Sequence, residues 1–364
     1  MAKQRYPYQP DSVTAPGATL KETLDEHGMS QKELSDRMNR PVKTISEIIN
    51  GKTQITSETA IQLENVLGIP ASFWLNREKR YREFLAKQQE ESRLKKQTEE
   101  LKNFPMRDLR KRGYVSRTRN KVQLVKETIQ FYGVNHLKNI PTIYSQESFQ
   151  FRKSNAHTIH ETHLAAWIRE GEIKAALIDC QPYSEKKFKK VLQEIRKLTT
   201  EPPEVFTEKM ARLCAEAGVA VVLIPQYEKC RTSGLARWVH PKKALIQLSL
   251  RYKTDDHFWF SFFHEAAHLL LHSKKKTFLD GNGGKMETDE IEEEANRFAA
   301  EFLIPDHTYQ EIISEQPLSK EKVRQYASQL QIAPGIIVGR LQHDGIIRYN
   351  WMNDLKRKFE WKMD

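Results

Sequence analysis

The chain has 364 residues, a length that suits two or three domains. Lys and Arg number 59 against 48 Asp and Glu, and the formal charge of +11 favours an anionic partner, most simply nucleic acid. No apolar run approaches the ~18–20 residues that span a bilayer, the first ten residues lack the apolar stretch of a secretory signal, and Cys180, Cys214 and Cys230 are odd in number and never in a CxxC pair. This argues against a membrane protein, a disulfide framework and a cysteine-ligated zinc site, and the simplest setting is the reducing cytoplasm.

In chain order, residues 1–16 read as a flexible arm, aperiodic and containing Pro and Gln. Residues 17–82 read as a module of short helices. Leu20 and Leu24 fall at helical spacing, and Ser30 caps a helix carrying Leu34 and Met38. Pro41 opens a helix with Ile45, Ile48 and Ile49 on one face, closed by Asn50-Gly51. Residues 83–200 read as a basic linker followed by a helical connector. Between Arg77 and Lys126 there are 17 Lys or Arg against 7 Asp or Glu, so the basic excess sits mainly there. After Glu201-Pro-Pro-Glu204, Val219–Ile224, Leu235–Val239 and Ala244–Ser249 are strand candidates. Phe258–His272 is a helix apolar nearly all round, hence buried. Asp280–Lys285 is a Gly-rich loop, and Asp289–Ile304 a helix stopped by Pro305. The expected fold is multidomain and mainly α. An all-α module occupies 17–82, an α+β domain with a small sheet 201–318, and a helical segment 319–364.

The sharpest motif is His264-Glu265-Ala266-Ala267-His268. Positions four apart share a helix face, so both imidazoles can bind one metal while the Glu beside the first reaches the attacking water. A catalytic zinc needs a third protein ligand. Glu292 and Asn296, four apart on the next expected helix, can supply one ligand and one group that orients a ligand histidine. Glu293 and Glu294 compete with Glu292 for the ligand role, and Glu292 is chosen by pattern. His272, four beyond His268, is a further candidate for holding a ligand histidine. Twelve histidines make a chance match conceivable, and the bland reading is a pair of satisfied core histidines beside a solvated acidic face.

Residues 244–249, Phe260–His272 and Glu294–Pro305 resemble the ImmA/IrrE-type metallopeptidases, over roughly residues 205–310, with Ala267 where that family usually has Gly. The resemblance implies a zincin-like fold, one Zn²⁺ per chain on His264, His268 and Glu292, and Glu265 as the group that takes and returns the proton during peptide hydrolysis. It also implies a repressor-type protein as substrate. No oxyanion donor is legible; Arg237, His272 and Tyr309 are the candidates.

Ser30–Met38 and Arg40–Thr53 resemble the helix-turn-helix of phage-repressor-type (XRE) regulators, and Phe73-Trp74-Leu75-Asn76 with Tyr81 narrows this to plasmid-maintenance antitoxins. Leu34, Met38, Ile45 and Ile48 can pack the two helices. Val42, Lys43, Thr44 and Glu47 are then left for base edges, and Gln31, Asn50 and Lys52 for phosphates. The implied partners are double-stranded operator DNA, bound as a homodimer, and a repressor or antitoxin substrate. The rival reading is a non-proteolytic antitoxin-like repressor that binds a toxin and carries a structural or sensory metal site. Residues Lys322–His343 have similar spacing and are read as support for the peptidase.

Overall fold

The structure is a computed structural model describing residues 12–144, 160–230, 232–272, 285–315 and 317–361. Most of the expected N-terminal arm and of the Gly-rich loop lies outside the described residues. The chain forms two compact units, Met1–Glu99 with Asn120–Val125, and Glu100–Arg119 with Lys126–Asp364.

The first unit begins with α1 (Pro16–Glu26), α2 (Gln31–Met38), α3 (Val42–Ile49) and α4 (Ser57–Leu67). Local chemistry sets their ends. Ser30 Oγ accepts from the Glu33 amide at 3.1 Å to start α2, and Asn39 closes it in the left-handed region at φ 51°. Gly68, at φ 73°, closes α4. Leu20, Leu34, Ile45 and Leu63 are fully buried, with Trp74 of the next helix sealing the same core. Gly17 is needed because a Cβ there would run into the carbonyls of Ile48 and Ile49, so α1 rests on the end of α3.

That next helix, α5 (Ala71–Lys95), is where the structure departs from the expected boundary at residue 82. It continues without a break for 25 residues. Its second half is mostly Glu, Lys, Arg, Gln, Leu and Ala without Gly or Pro, mainly strong helix formers, so the change in composition marks greater exposure and not a chain break. Glu78, buried in its first third, accepts from the Ile55 amide at 3.2 Å and pairs with Arg82 at 2.6 Å.

The helices α6 (Met106–Lys111), α7 (Lys121–Tyr132), α8 (Asn139–Ile143), α9 (Glu161–Ala176), α10 (Glu185–Lys197) and α11 (Pro203–Glu216) lead to a sheet of β1 (Val219–Leu223), β2 (Gly234–His240) and β3 (Lys243–Leu248). The strand order is β1-β3-β2, with β1 parallel and β2 antiparallel to β3. Register fixes the two faces. Val219, Val221, Ala236, Trp238, Ala244 and Ile246 share one face and join the main core under α12 (Asp255–Leu271). Leu235, Arg237, Leu245 and Gln247 share the other. There α9 lies so close that a Cβ on Gly171 would collide with the Gln247 amide, whose Nε2 donates to the Trp167 carbonyl at 2.7 Å. The stretch expected as a connector therefore supplies the second layer of the sheet. Its attachment is electrostatic as well. The buried Glu170 accepts from Arg112 at 2.6 Å and from the Tyr227 hydroxyl at 3.0 Å, with the guanidinium 3.9 Å from the Tyr227 ring centroid.

The last helices are α13 (Lys285–Leu303), α14 (Asp306–Ser314), α15 (Lys320–Leu330) and α16 (Pro334–His343). Val323, Ala327, Ile332 and Val338 are buried in the same core as the sheet. A strand-like tail then straps the start of α12. The Asp255 amide donates to the Arg357 carbonyl at 3.0 Å, the Phe359 amide to the Lys253 carbonyl at 2.8 Å, and Lys356 pairs with Asp256 at 2.6 Å. Gly335 and Gly339 of α16 admit these two aspartates, because a Cβ on either would lie 2.5 Å from a carboxylate oxygen.

Candidate metal centre

Helix α12 is buried along its length by Phe258, Trp259, Phe262, Phe263 and Leu269. With the helix pinned, the four-residue spacing aims His264 and His268 to one side, toward α13, which buries Ala295 and Ala299 and presents Glu292. The two Nε2 atoms are 3.0 Å apart. Glu292 Oε2 lies 3.3 Å from His264 Nε2, and Glu292 Oε1 lies 3.6 Å from His268 Nε2. Three donor atoms, each on a partly buried residue, thus converge.

The donor set fits a tetrahedral metal. Ligand bonds of about 2.0–2.1 Å at tetrahedral angles separate ligand atoms by roughly 3.3 Å, the middle of the observed spacings. The electrostatics agree. Burial, with His264 nearby, pulls His268 down to about 3, so its ring is neutral and offers a lone pair. Burial lowers His264 too, but the hydrogen bond to Glu292 and the charges of Glu265 and Glu292 outweigh it and raise the group. Burial pushes Glu292 up, yet the hydrogen bond to His264 holds it below the ordinary carboxylate range. A proton shared by His264 and Glu292 is what a divalent cation would displace.

Glu265 sits beside this cluster, with 8% of its surface exposed. Burial lifts its carboxyl to about 7; His264 and the Ala236 amide oppose the shift and Glu292 adds to it. The edge strand β2 makes room for it at Gly234. This meeting was not foreseen from sequence, where a glycine opening a strand was the signal available. Asn296 Oδ1 accepts from His264 Nδ1 at 2.9 Å. His268 Nδ1 meets His272 Nδ1 at 3.0 Å, and His272 Nε2 meets Glu294 Oε2 at 3.3 Å. Glu294, weighed from sequence as a rival ligand, therefore faces His272. Glu293 is exposed.

Two oxyanion candidates are engaged elsewhere. Arg237 donates to Glu172 Oε1 at 2.7 Å on the α9 face of the sheet, away from α12, because strand side chains alternate. The Tyr309 hydroxyl donates to Asp344 Oδ2 at 2.5 Å under Arg340.

In the first unit, Val42 and Lys43 are exposed at the start of α3, Thr44 and Gln31 are half-buried, and Asn50 and Lys52 are exposed beyond the helix. Glu47 is turned back on the protein, accepting from Thr53 Oγ1 at 3.2 Å with Lys43 4.0 Å away. Asn50 Nδ2 donates to the Ser46 carbonyl at 2.7 Å, which trims the end of α3.

Residues 214–341 match the family of the IrrE N-terminal-like domain, and residues 20–74 match the helix-turn-helix family. The chain thus joins an XRE-type helix-turn-helix domain to an IrrE N-terminal-like peptidase domain. Over 61 residues, 17% of its length, it is 38% identical to an uncharacterized HTH-type transcriptional regulator, YddM, of Escherichia coli, and it spans 65% of that relative. It also matches the structure of an addiction module antidote protein of a HigA family from Coxiella burnetii. That identity is 29%, covering 24% of this chain and 90% of the other, with a TM-score of 0.20. Among the described residues no helix is long and apolar enough to cross a membrane.

Proposed function

We propose that this chain is a DNA-binding transcriptional regulator with zinc-dependent endopeptidase activity, and that it cleaves a repressor or antitoxin protein of its own regulatory circuit. The observation that carries the reading is the convergence of His264 Nε2, His268 Nε2 and a Glu292 carboxylate oxygen beside the buried Glu265. His264, His268 and Glu292 would hold one zinc ion, which supplies Lewis-acid activation for peptide hydrolysis. Glu265 takes a proton from the attacking water and returns it to the leaving amine, and its carboxyl near 7 suits both halves of that transfer. The match of residues 214–341 to the IrrE N-terminal-like domain supports this reading, as does a regulator among the relatives of the first unit.

For the first unit, α3 lies in the major groove of operator DNA with Val42, Lys43 and Thr44 toward base edges. Gln31, Asn50 and Lys52 hold phosphates, and a homodimer reads two half-sites. Glu47 supports the turn after α3 through Thr53.

The deciding experiment compares the zinc-loaded full chain with Glu265→Gln against repressor-like proteins encoded beside it. The expected result is one zinc per chain in both and cleavage by the wild type alone. Equal behaviour of the two toward every such protein overturns the peptidase reading. It would favour a non-proteolytic, antitoxin-like regulator, whose metal site has no use for Glu265.

A further inference from the structure

We propose that Glu294, His272 and His268 form a hydrogen-bonded relay that fixes the tautomer of His268 and strengthens the hold of the site on a divalent transition metal. The proposal rests on the metal-centre reading above and deepens it. The order of protons follows from the donor chemistry. To act as a ligand, His268 Nε2 must present its lone pair, because it is the ring nitrogen that faces His264 and Glu292. A ligand imidazole is neutral, so with Nε2 turned to the metal its proton is on Nδ1. That N–H faces His272 Nδ1 at 3.0 Å, so His272 Nδ1 accepts. The proton of His272 is then on Nε2, which donates to Glu294 Oε2 at 3.3 Å. The reverse order, with His272 Nδ1 donating to His268 Nδ1, would place the His268 proton on Nε2 and block the ligand lone pair.

The other ligand histidine is held differently. His264 Nδ1 donates to the neutral amide oxygen of Asn296. His268 is held by a second imidazole with a carboxylate behind it, which polarises both rings and fixes the orientation in which His268 presents its lone pair. His272 and Glu294 touch no reacting atom in this arrangement; they are positioning residues. Helix spacing explains why the pair is available. His272 is the residue that ends α12, four beyond His268, and Glu294 is on α13 just beyond Glu292.

The test is a competitive zinc titration of the full chain against a chromophoric chelator, for wild type, His272→Phe, Glu294→Ala and Glu294→Gln. Removing an outer partner of a metal ligand lowers affinity about 10–100-fold. His272→Phe is expected in that range. Glu294→Ala should show a smaller loss, and Glu294→Gln should recover part of it, since the amide oxygen accepts the same hydrogen bond. Nitrogen NMR of histidine-labelled, zinc-loaded protein should find His272 protonated on Nε2 and His268 on Nδ1, a signature that a merely structural role would not set. Wild-type affinity in His272→Phe, or His272 protonated on Nδ1, overturns the relay. Glu294 is exposed, so its variants test the relay even where His272→Phe fails to fold. A wild-type chain that takes up no zinc overturns the metal centre itself, a result distinct from unchanged affinity in the variants.

Discussion

Gly234 and Glu265 are in contact: a Cβ built on Gly234 would lie 2.6 Å from Glu265 Oε1 and 2.7 Å from its Cγ. Gly234→Ala is expected to push the carboxylate aside without touching the three donor atoms. A displacement near 1 Å costs about 10²-fold in rate. Zinc content should stay at the wild-type level while cleavage of the protein substrate falls by about that factor. Full activity in the variant would show that Glu265 does not depend on this cradle.

Asn296 holds His264 from behind through Nδ1. Asn296→Ala should weaken zinc binding by about 10-fold or more. Asn296→Asp, which keeps an acceptor at the same place, should recover most of the loss. Chelator competition separates the two variants.

Asp255 is fully buried beside Asp256, and burial, with that neighbouring charge, raises its carboxyl to about 6. An acid raised in the folded state binds more protons folded than unfolded. Its stability is fully present below the ordinary carboxylate range and is lost as pH rises through about 6. Asp255→Asn keeps the shape and removes the charge. It should stabilise the protein at pH 8 by about 1–3 kcal/mol, and the gain should vanish below pH ~4. Urea unfolding at several pH values reads both ends of that window.

Arg112 neutralises the buried Glu170 and stacks on Tyr227. Arg112→Met leaves a carboxylate in the interior with the neutral Tyr227 hydroxyl and, 2.9 Å from its other oxygen, the half-exposed Lys174. Losing one partner of a buried pair costs about 3–5 kcal/mol, so the midpoint of chemical unfolding should drop sharply. A loss of stability below about 1 kcal/mol, the size of an exposed pair, would mean that Lys174 and water suffice.

Lys43 and Lys52 are exposed at either end of α3. Removing one cation that neutralises a phosphate should lower the dependence of log affinity on log salt by about 1. Lys52→Ala is therefore expected to flatten the salt dependence of binding to duplex DNA, whereas Lys43→Ala, toward base edges, should relax sequence preference. An unchanged slope in Lys52→Ala would remove that residue from the phosphate contacts.

The parts of this molecule legible in sequence are those with a short period. Leu34, Met38, Ile45 and Ile48 announce packed helices by spacing, and all four are buried. His264, His268, Glu292 and Asn296 announce convergence because each pair is one turn apart on its own helix. The illegible parts come from residues far apart in the chain. Gly234 meets Glu265 and Gly171 meets Gln247 only after the sheet and its covering helices have formed. Lys356 reaches Asp256 across 100 residues. Arg237 is plausible as an oxyanion donor until the register shows which face it takes. The polar second half of α5 looks like a linker because exposure, and not helix breaking, sets its composition.

The sheet carries a further consequence. It is one strand thick, and β2 is gripped on both sides: Glu172 of α9 holds the Arg237 guanidinium, while the neighbouring Ala236 amide steadies Glu265. Close-packed interiors pass strain on with little loss. A shift of α9 would therefore be delivered through a single peptide unit to the Glu265 carboxylate. Anything that bears on α9, tens of residues before His264, has a mechanical handle on where that carboxylate sits.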